Sequence, residues 1–247
     1  MISENDLEKL KQYLDESDNV VFFGGAGVST DSGIPDFRSK DGLYNQHDVQ
    51  FEKYSPEYLL SADCLHHDPE VFFEFYRQKL DTRKIQPNVT HRALAKMEAT
   101  GKLKAIVTQN IDGLHQKAGS RNVLEIHGTT ERNYCERCGK PYSADYLFES
   151  TERVPRCTCG GMIRPDVTLY GEGLPEEAVR KSIAAISEAD CLIVGGTSLS
   201  VYPAASYIRY FRGKHFIVIN KEPIQVQLNP DSDVTVIGSL GEVFGQF

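Results

Sequence analysis

Val20 to Ser39 reads V-V-F-F-G-G-A-G-V-S-T-D-S-G-I-P-D-F-R-S, an apolar run broken by a glycine-rich turn that leads into the polar segment Asp36, Phe37 and Arg38. Val20 to Phe23 is long enough for one buried β-strand. The residues that end it, Gly24, Gly25 and Gly27, leave no Cβ between the backbone amides and an approaching pyrophosphate. Ser29, Thr30 and Ser32 are placed to cap a following helix. The loop is not the standard dinucleotide fingerprint, since Thr30 stands where a third glycine would. It is no P-loop either, since no Gly-Lys-Ser/Thr follows. Taken alone, it fits a dinucleotide-binding loop and a structural strand-to-helix turn equally well.

The rest of the chain supplies a setting for that loop. Leu7, Leu10 and Leu14 recur at helical spacing behind a Ser3/Asp6 capping box. Further strands are expected at Leu103 to Thr108, Val123 to His127, Cys191 to Gly195, Phe216 to Asn220 and Val234 to Ile237. Helices are expected at Glu176 to Ser187 and Ala204 to Phe211. Such alternation implies an α/β fold, a Rossmann-like and mostly parallel sheet with helices on both faces. Two stretches break the alternation. Tyr44 to Leu80 is helical in pattern, with Ser55-Pro56 and Asp68-Pro69 as helix starts, and Glu131 to Arg164 is cysteine-bearing and turn-rich. The expected division is therefore a nucleotide-binding domain of residues 1–37, 89–130 and 166–247, and a smaller domain made of a helical insertion, 38–88, and a cysteine module, 131–165.

A chain of 247 residues with 27 basic and 35 acidic side chains carries a net charge of −8. That balance lacks the basic footprint of a nucleic-acid binder and would mildly attract cationic peptides. The N-terminus is charged from the start and no apolar run reaches a membrane-spanning length, so no targeting segment, no membrane partner and a cytoplasmic location are expected. Four of the six cysteines, Cys135, Cys138, Cys157 and Cys159, stand as C-x2-C-x18-C-x-C. Four thiolates on two knuckles close a tetrahedron around one structural zinc, which would stabilise the small module by on the order of 10 kcal/mol. The second knuckle is one residue shorter than C-x-x-C, and a C-x-C pair can still chelate. Cys191 begins an apolar strand and reads as core.

His127 closes the apolar strand Val123 to Ile126, where Gly128 turns the chain. Strand ends of a parallel sheet are where ligand crevices form, and histidine is a base that titrates near neutrality. A hydrogen-bonded structural histidine would look the same in isolation. Gln109, Asn110 and Asp112 follow the strand Leu103 to Thr108, with donors and acceptors suited to ribose hydroxyls and a carboxamide, or to a plain Asn-x-Asp turn. Gly196, Thr197 and Ser198, with Asn220 after the next strand, suit the adenosine end of a dinucleotide. Asp166 to Tyr170 alternates like an exposed edge strand on which a peptide can pair. His115 reads as a structural residue beginning a helix, and His47, His66, His67, His91 and His215 as surface or capping residues.

The motifs together resemble those of the sirtuin family, NAD-dependent protein lysine deacylases, in its bacterial type. They are G-A-G-V-S-T-D-S-G-I-P-D-F-R (Gly25 to Arg38), T-Q-N-I-D-G-L-H (Thr108 to His115), E-I-H-G (Glu125 to Gly128), the four cysteines, R-P-D-V-T-L-Y-G-E (Arg164 to Glu172) and G-T-S-L-S-V-Y-P-A-A (Gly196 to Ala205). They occur in the family's order over nearly the whole chain. The resemblance implies that the acetyl group of acetyl-lysine passes to ADP-ribose as nicotinamide leaves. His127 would be the general base and Asn110 the second catalytic residue. NAD contacts are implied at Gly25, Ala26, Gly27, Thr30, Asp36, Phe37, Arg38, Gln109, Asn110, Asp112, Gly196, Thr197, Ser198 and Asn220, with Phe37 shielding the reactive sugar carbon and Asp112 an anion in the nicotinamide pocket. Val167 and Phe37 would line the acyl-lysine tunnel. The partners implied are acetyl-lysine proteins or peptides, with a monomer as the default. Members that remove acidic acyl groups carry a Y-x-x-R pair in the helical insertion; here Tyr76 is followed by Lys79, so uncharged acyl groups are expected. The same scaffold would also suit an ADP-ribosyltransferase or NAD hydrolase, or a non-catalytic NAD-binding module.

Overall fold

A computed structural model describes residues 2–36, 42–43 and 50–247. Val20–Gly24 (β1), Leu103–Thr108 (β2), Val123–Glu125 (β3), Cys191–Gly195 (β7), His215–Asn220 (β8) and Asp233–Ile237 (β9) form a parallel sheet in the order β3-β2-β1-β7-β8-β9. Every residue of β1 and β7 is buried, as expected for central strands covered on both sides. Val20 and Phe22 face a core with Leu10 and Leu14 of the first helix, Glu4–Asp15 (α1), Leu94 of Val89–Ala99 (α5) and Phe244 of Leu240–Phe244 (α9). Val21 and Phe23 face the other core, with Ile186 of Glu176–Glu188 (α8) and Ala204 and Tyr207. The period-two alternation of one apolar strand thus feeds two cores.

A second, antiparallel sheet is built from Gly128–Cys135 (β4), Pro141–Ser143 (β5) and Ile163–Val167 (β6), in the order β5-β4-β6. Beside it lie Pro56–Leu59 (α2), Ala62–His67 (α3) and Pro69–Lys79 (α4). Leu59, Leu65, Phe72 and Tyr76 share one apolar cluster with Leu147, from Ala144–Glu149 (α7), and with Val167 and Leu169. The helical insertion and the cysteine module therefore pack on each other.

Several local expectations need correction. Among the described residues the glycine loop leads into two single 3-10 turns, Ala26–Val28 and Thr30–Ser32, rather than an α-helix; Ser29 stands at the N-cap of the second but its hydroxyl is bonded to Asp112 instead. The strand expected through His127 ends at Glu125, and Ala204–Tyr210 is 3-10 rather than α-helical. Ser3 accepts from the Asp6 N–H at 3.4 Å, one half of the expected box. Proline opens α2 and α4 as expected, but Ser61 caps an additional helix, α3, between them. His91 does cap, at the N3 position of α5 behind Asn88, yet it is fully buried. His215 is also buried, stacked on Tyr13 at 4.0 Å. His47 lies outside the described residues.

Candidate active site

The sheet order reverses at β1. One half of the chain adds β2 and β3 on one side, and the other half adds β7, β8 and β9 on the other. A crevice opens where consecutive crossovers diverge in this way, at the carboxyl ends of β1 and β7. A cavity of about 1070 Å³ lies there. The glycine loop and the β7 loop form its floor by direct backbone contact, with the Gly27 N–H donating to the Gly196 carbonyl at 2.8 Å. A Cβ on Gly27 would lie 2.8 Å from Gly196 Cα, and one on Gly196, whose φ is +60°, would lie 2.6 Å from the Val28 nitrogen. Only glycines permit this approach, and a backbone bare of Cβ atoms is what a pyrophosphate needs. This cradle fits a dinucleotide.

From β2 come the polar residues of the opposite wall. The Gln109 side chain donates to Thr197 Oγ1 at 3.2 Å and so ties the two loops together. Asn110 Nδ2 donates to Ser29 Oγ at 3.1 Å, and Ser29 Oγ donates to Asp112 Oδ2 at 2.6 Å. The second Asp112 oxygen accepts the Leu114 N–H at 2.9 Å, which begins Leu114–Lys117 (α6). Burial raises the Asp112 carboxyl above its ordinary range, against the opposing pull of the Ser29 and Leu114 donors.

His127 stands between the two sheets, one residue before β4. Its Nδ1 lies 2.9 Å from the Gln109 carbonyl oxygen. A carbonyl only accepts, so Nδ1 carries the proton and Nε2 holds the lone pair. Burial lowers the pKa of His127, and the Gln109 carbonyl offsets part of that shift. The side chain therefore enters neutral pH as a free base, already oriented.

Of the residues singled out from sequence, Gly25, Ala26, Gly27, Thr30, Asp36, Gln109, Asn110, His127, Val167, Gly196, Thr197, Ser198 and Asn220 line this one cavity. Asp112 does not. It lies behind the wall, 7 % exposed, and acts on the cavity through Ser29 and Asn110. Phe37 and Arg38 lie outside the described residues. Sequence reasoning missed much of the apolar lining, Leu60, Leu80, Ile111 and Leu169 among it, as well as Lys221 and Glu222. Leu60 and Leu80 sit at the ends of short helices with nothing local to mark them. Glu222 carries no sequence signal of its own; in the fold its carbonyl accepts from Asn220 Nδ2 at 2.8 Å.

The sulfur atoms of Cys135, Cys138, Cys157 and Cys159 all lie within 4.8 Å of one another, with Cys135 and Cys159 at 3.5 Å and Cys138 and Cys157 at 3.7 Å. Tetrahedral zinc with Zn–S bonds near 2.3 Å places its sulfurs about 3.8 Å apart, so the four fit that ion, and the short C-x-C knuckle reaches it.

The Sir2 family model matches residues 25–203. The chain is 51 % identical over 244 residues to the NAD-dependent protein deacetylase of Clostridium acetobutylicum, covering 98 % of each chain. It is 52 % identical over 246 residues to the NAD-dependent protein deacetylase of Clostridium perfringens, again covering 98 % of each. A solved structure of Sir2 with a p53 peptide and NAD+ superposes with a TM-score of 0.82 at 35 % identity, covering 97 % of this chain and 96 % of that one. The chain belongs to the Sir2 family.

Proposed function

We infer that the protein is an NAD-dependent protein lysine deacetylase, transferring the acetyl group of acetyl-lysine to ADP-ribose with release of nicotinamide. The observation that carries this reading is His127, a half-buried imidazole fixed by the Gln109 carbonyl, on the wall of a cavity that the glycine loop also lines. Bound NAD would supply an electrophilic sugar carbon with nicotinamide as its leaving group. Gly25, Ala26, Gly27, Thr30 and Gly196 to Ser198 would hold its phosphates and adenosine end, with Asn220 at the ribose and Asp36, Phe37 and Arg38 over the cofactor. Asn110, braced through Ser29 by Asp112, would orient the nicotinamide end. His127 Nε2 would accept a ribose hydroxyl proton, and the tautomer held by the Gln109 carbonyl means that no reorientation would precede that transfer. Val167 lies among Leu60, Leu80, Ile111 and Leu169, an apolar lining suited to the stem of a neutral acyl-lysine.

Cys135, Cys138, Cys157 and Cys159 would hold one structural zinc. All four ligand positions are filled by protein, leaving none for substrate. We divide the chain into a nucleotide-binding domain of residues 1–37, 89–130 and 166–247, with 38–88 and 131–165 forming the small domain. Four reduced thiols gathered for a metal suit a reducing compartment, and we place the enzyme in the cytoplasm. Among the described residues no helix is long and apolar enough to cross a membrane.

Nicotinamide release from NAD, followed with and without an acetyl-lysine peptide, tests the assignment. Release that depends on the peptide supports it. Release without peptide would indicate a hydrolase, and NAD binding without release a non-catalytic module.

A further inference from the structure

The glycine loop is held from behind as well as across the cavity. Val28, the residue after Gly27, is buried in the core that holds Phe22 and Leu94. Its N–H donates to the Gly25 carbonyl at 3.0 Å and closes the first 3-10 turn. Its carbonyl accepts from Asn88 Nδ2 at 2.8 Å, from a residue 60 positions further along the chain. Asn88 is buried, does not line the cavity, and stands as the N-cap of α5.

The Asn88 amide can face only one way. The backbone N–H groups of Thr90, at 2.9 Å, and His91, at 3.4 Å, meet one of its atoms, which must be the oxygen; a carbonyl meets the other, which must be the nitrogen. A helix cap uses the acceptor alone, and Ser or Asp serves there about as well as Asn. Capping therefore accounts for Oδ1 and leaves the Nδ2 donor with a second task. Ser29, the next residue of the loop, is gripped by Asn110 and by Asp112, which also accepts the Leu114 N–H of α6. Consecutive residues of the loop are thus held from the starts of two helices, Val28 from α5 and Ser29 from α6. Those helices meet through the edge-on rings of His91 and His115, so the two braces belong to one packed frame.

We propose, on the reading that the cavity holds NAD, that Asn88 is a positioning residue for the cofactor: by holding the Val28 carbonyl it keeps the Gly25 to Val28 turn in the arrangement that sets Gly27 against Gly196 and leaves the cradle open to a pyrophosphate. Without the Nδ2 donor the Val28 carbonyl is an unmet acceptor inside the protein, and the loop lowers that cost by turning the carbonyl toward water. NAD then binds only the molecules whose loop stays in place, and its apparent affinity falls by that fraction.

The test compares Asn88→Asp, Asn88→Ser and Ser143→Ala with wild type. Asn88→Asp keeps the size and the capping oxygen and sets a second oxygen against the Val28 carbonyl; Asn88→Ser keeps a cap and removes the contact. Ser143→Ala deletes the cap of α7 in the small domain, where the hydroxyl accepts the Tyr146 N–H at 3.3 Å, and shows what a lost cap does by itself. Calorimetry reads NAD affinity, steady-state kinetics read the KM for NAD and for an acetyl-lysine peptide, and hydrogen exchange of the NAD-free protein reads the amides of Gly25 to Ser29. Both Asn88 variants should bind NAD about tenfold more weakly, in Kd and KM alike, as for a loop in place in about one molecule in ten. Their exchange at Gly25 to Ser29 should quicken, while peptide KM and kcat at saturating NAD stay within about twofold of wild type. Ser143→Ala should match wild type in NAD affinity and loop exchange. Unchanged NAD affinity in both Asn88 variants, a peptide KM and kcat that worsen in step with it, or an Asn88→Ser protein that does not fold would overturn the proposal. Wild type that binds no NAD would instead overturn the reading of the cavity, and loop exchange would still show whether Asn88 holds the turn.

Discussion

Acidification should destabilise this protein through two histidines that take no part in the proposed chemistry. His91 of α5 and His115 of α6 are 0 % and 1 % exposed, and their rings meet edge-on at 4.8 Å. His91 Nδ1 accepts the Asn88 N–H at 3.3 Å, and among the described residues neither His91 Nε2 nor either His115 nitrogen has a partner. Burial lowers His91 to about 4, and burial with the nearby His91 lowers His115 to about 3. Both are neutral in the folded protein at pH 5, while in the unfolded chain both titrate near 6.5. The unfolded state therefore binds the first protons, and stability falls as pH drops below about 6.5, continuing down to the folded-state values. From pH 7 to pH 5 each histidine removes about 1.5 pH units' worth of stability, about 2 kcal/mol, and the two together about 4 kcal/mol. That is a large share of the roughly 5–15 kcal/mol that holds a domain folded. Urea unfolding at the two pH values measures it. Replacing His115 by Leu removes one titrating group at similar volume, so the loss between pH 7 and pH 5 should shrink by about 2 kcal/mol. A variant that loses as much stability as wild type over this interval would show that His115 is not a source of the acid sensitivity.

Three further outcomes follow from the geometry. Because burial depresses His127, the acid limb of kcat/KM for the peptide should have its midpoint below 6.5 and reach its plateau by neutral pH, with the neutral imidazole as the active form; a midpoint above 7 in a pH-rate profile would contradict this. Gly128→Ala would place a Cβ 2.0 Å from the Asp166 carbonyl oxygen at φ +74°, and should destabilise by more than about 3 kcal/mol in denaturant unfolding, against about 1 kcal/mol for Gly33→Ala, which has left-handed φ but open space. Stripping the metal from Cys135, Cys138, Cys157 and Cys159 should make all four thiols reactive and lower the thermal midpoint, measured by thiol titration and calorimetry.

Most of the large sheet was legible because its strands are short apolar runs between glycines and polar turns. Leu103–Thr108 and Cys191–Gly195 match the expected spans, and the others differ at their ends. The glycine cradle was legible for a physical reason too, since close backbone approach leaves no alternative to glycine at Gly27 and Gly196. What stayed hidden depends on contacts between distant segments. Ser29 looks like a helix cap until Asp112, 83 residues away, takes its hydroxyl. Asp112 looks like a pocket anion until the fold puts it behind Asn110. Leu60 and Leu80 reach the cavity only because the helical insertion packs on β6, and the edge at Val167 is closed by Arg164 and Glu172, whose pairing no strand pattern encodes. His91 and His215 read as surface or capping residues, and although His91 does cap, the burial of both stays hidden because a buried imidazole leaves no periodic signal of its own.

The most direct measurement of the central claim is stoichiometry. Wild-type protein and a His127→Ala variant would be incubated with NAD and an acetyl-lysine peptide, with nicotinamide, deacetylated peptide and acetyl-ADP-ribose counted by mass spectrometry. Wild type should form the three in equal amounts, and the variant, with its NAD cradle intact, should form neither deacetylated peptide nor acetyl-ADP-ribose. Deacetylated peptide produced by His127→Ala at the wild-type rate, or nicotinamide formed without any loss of acetyl-lysine, would contradict that claim.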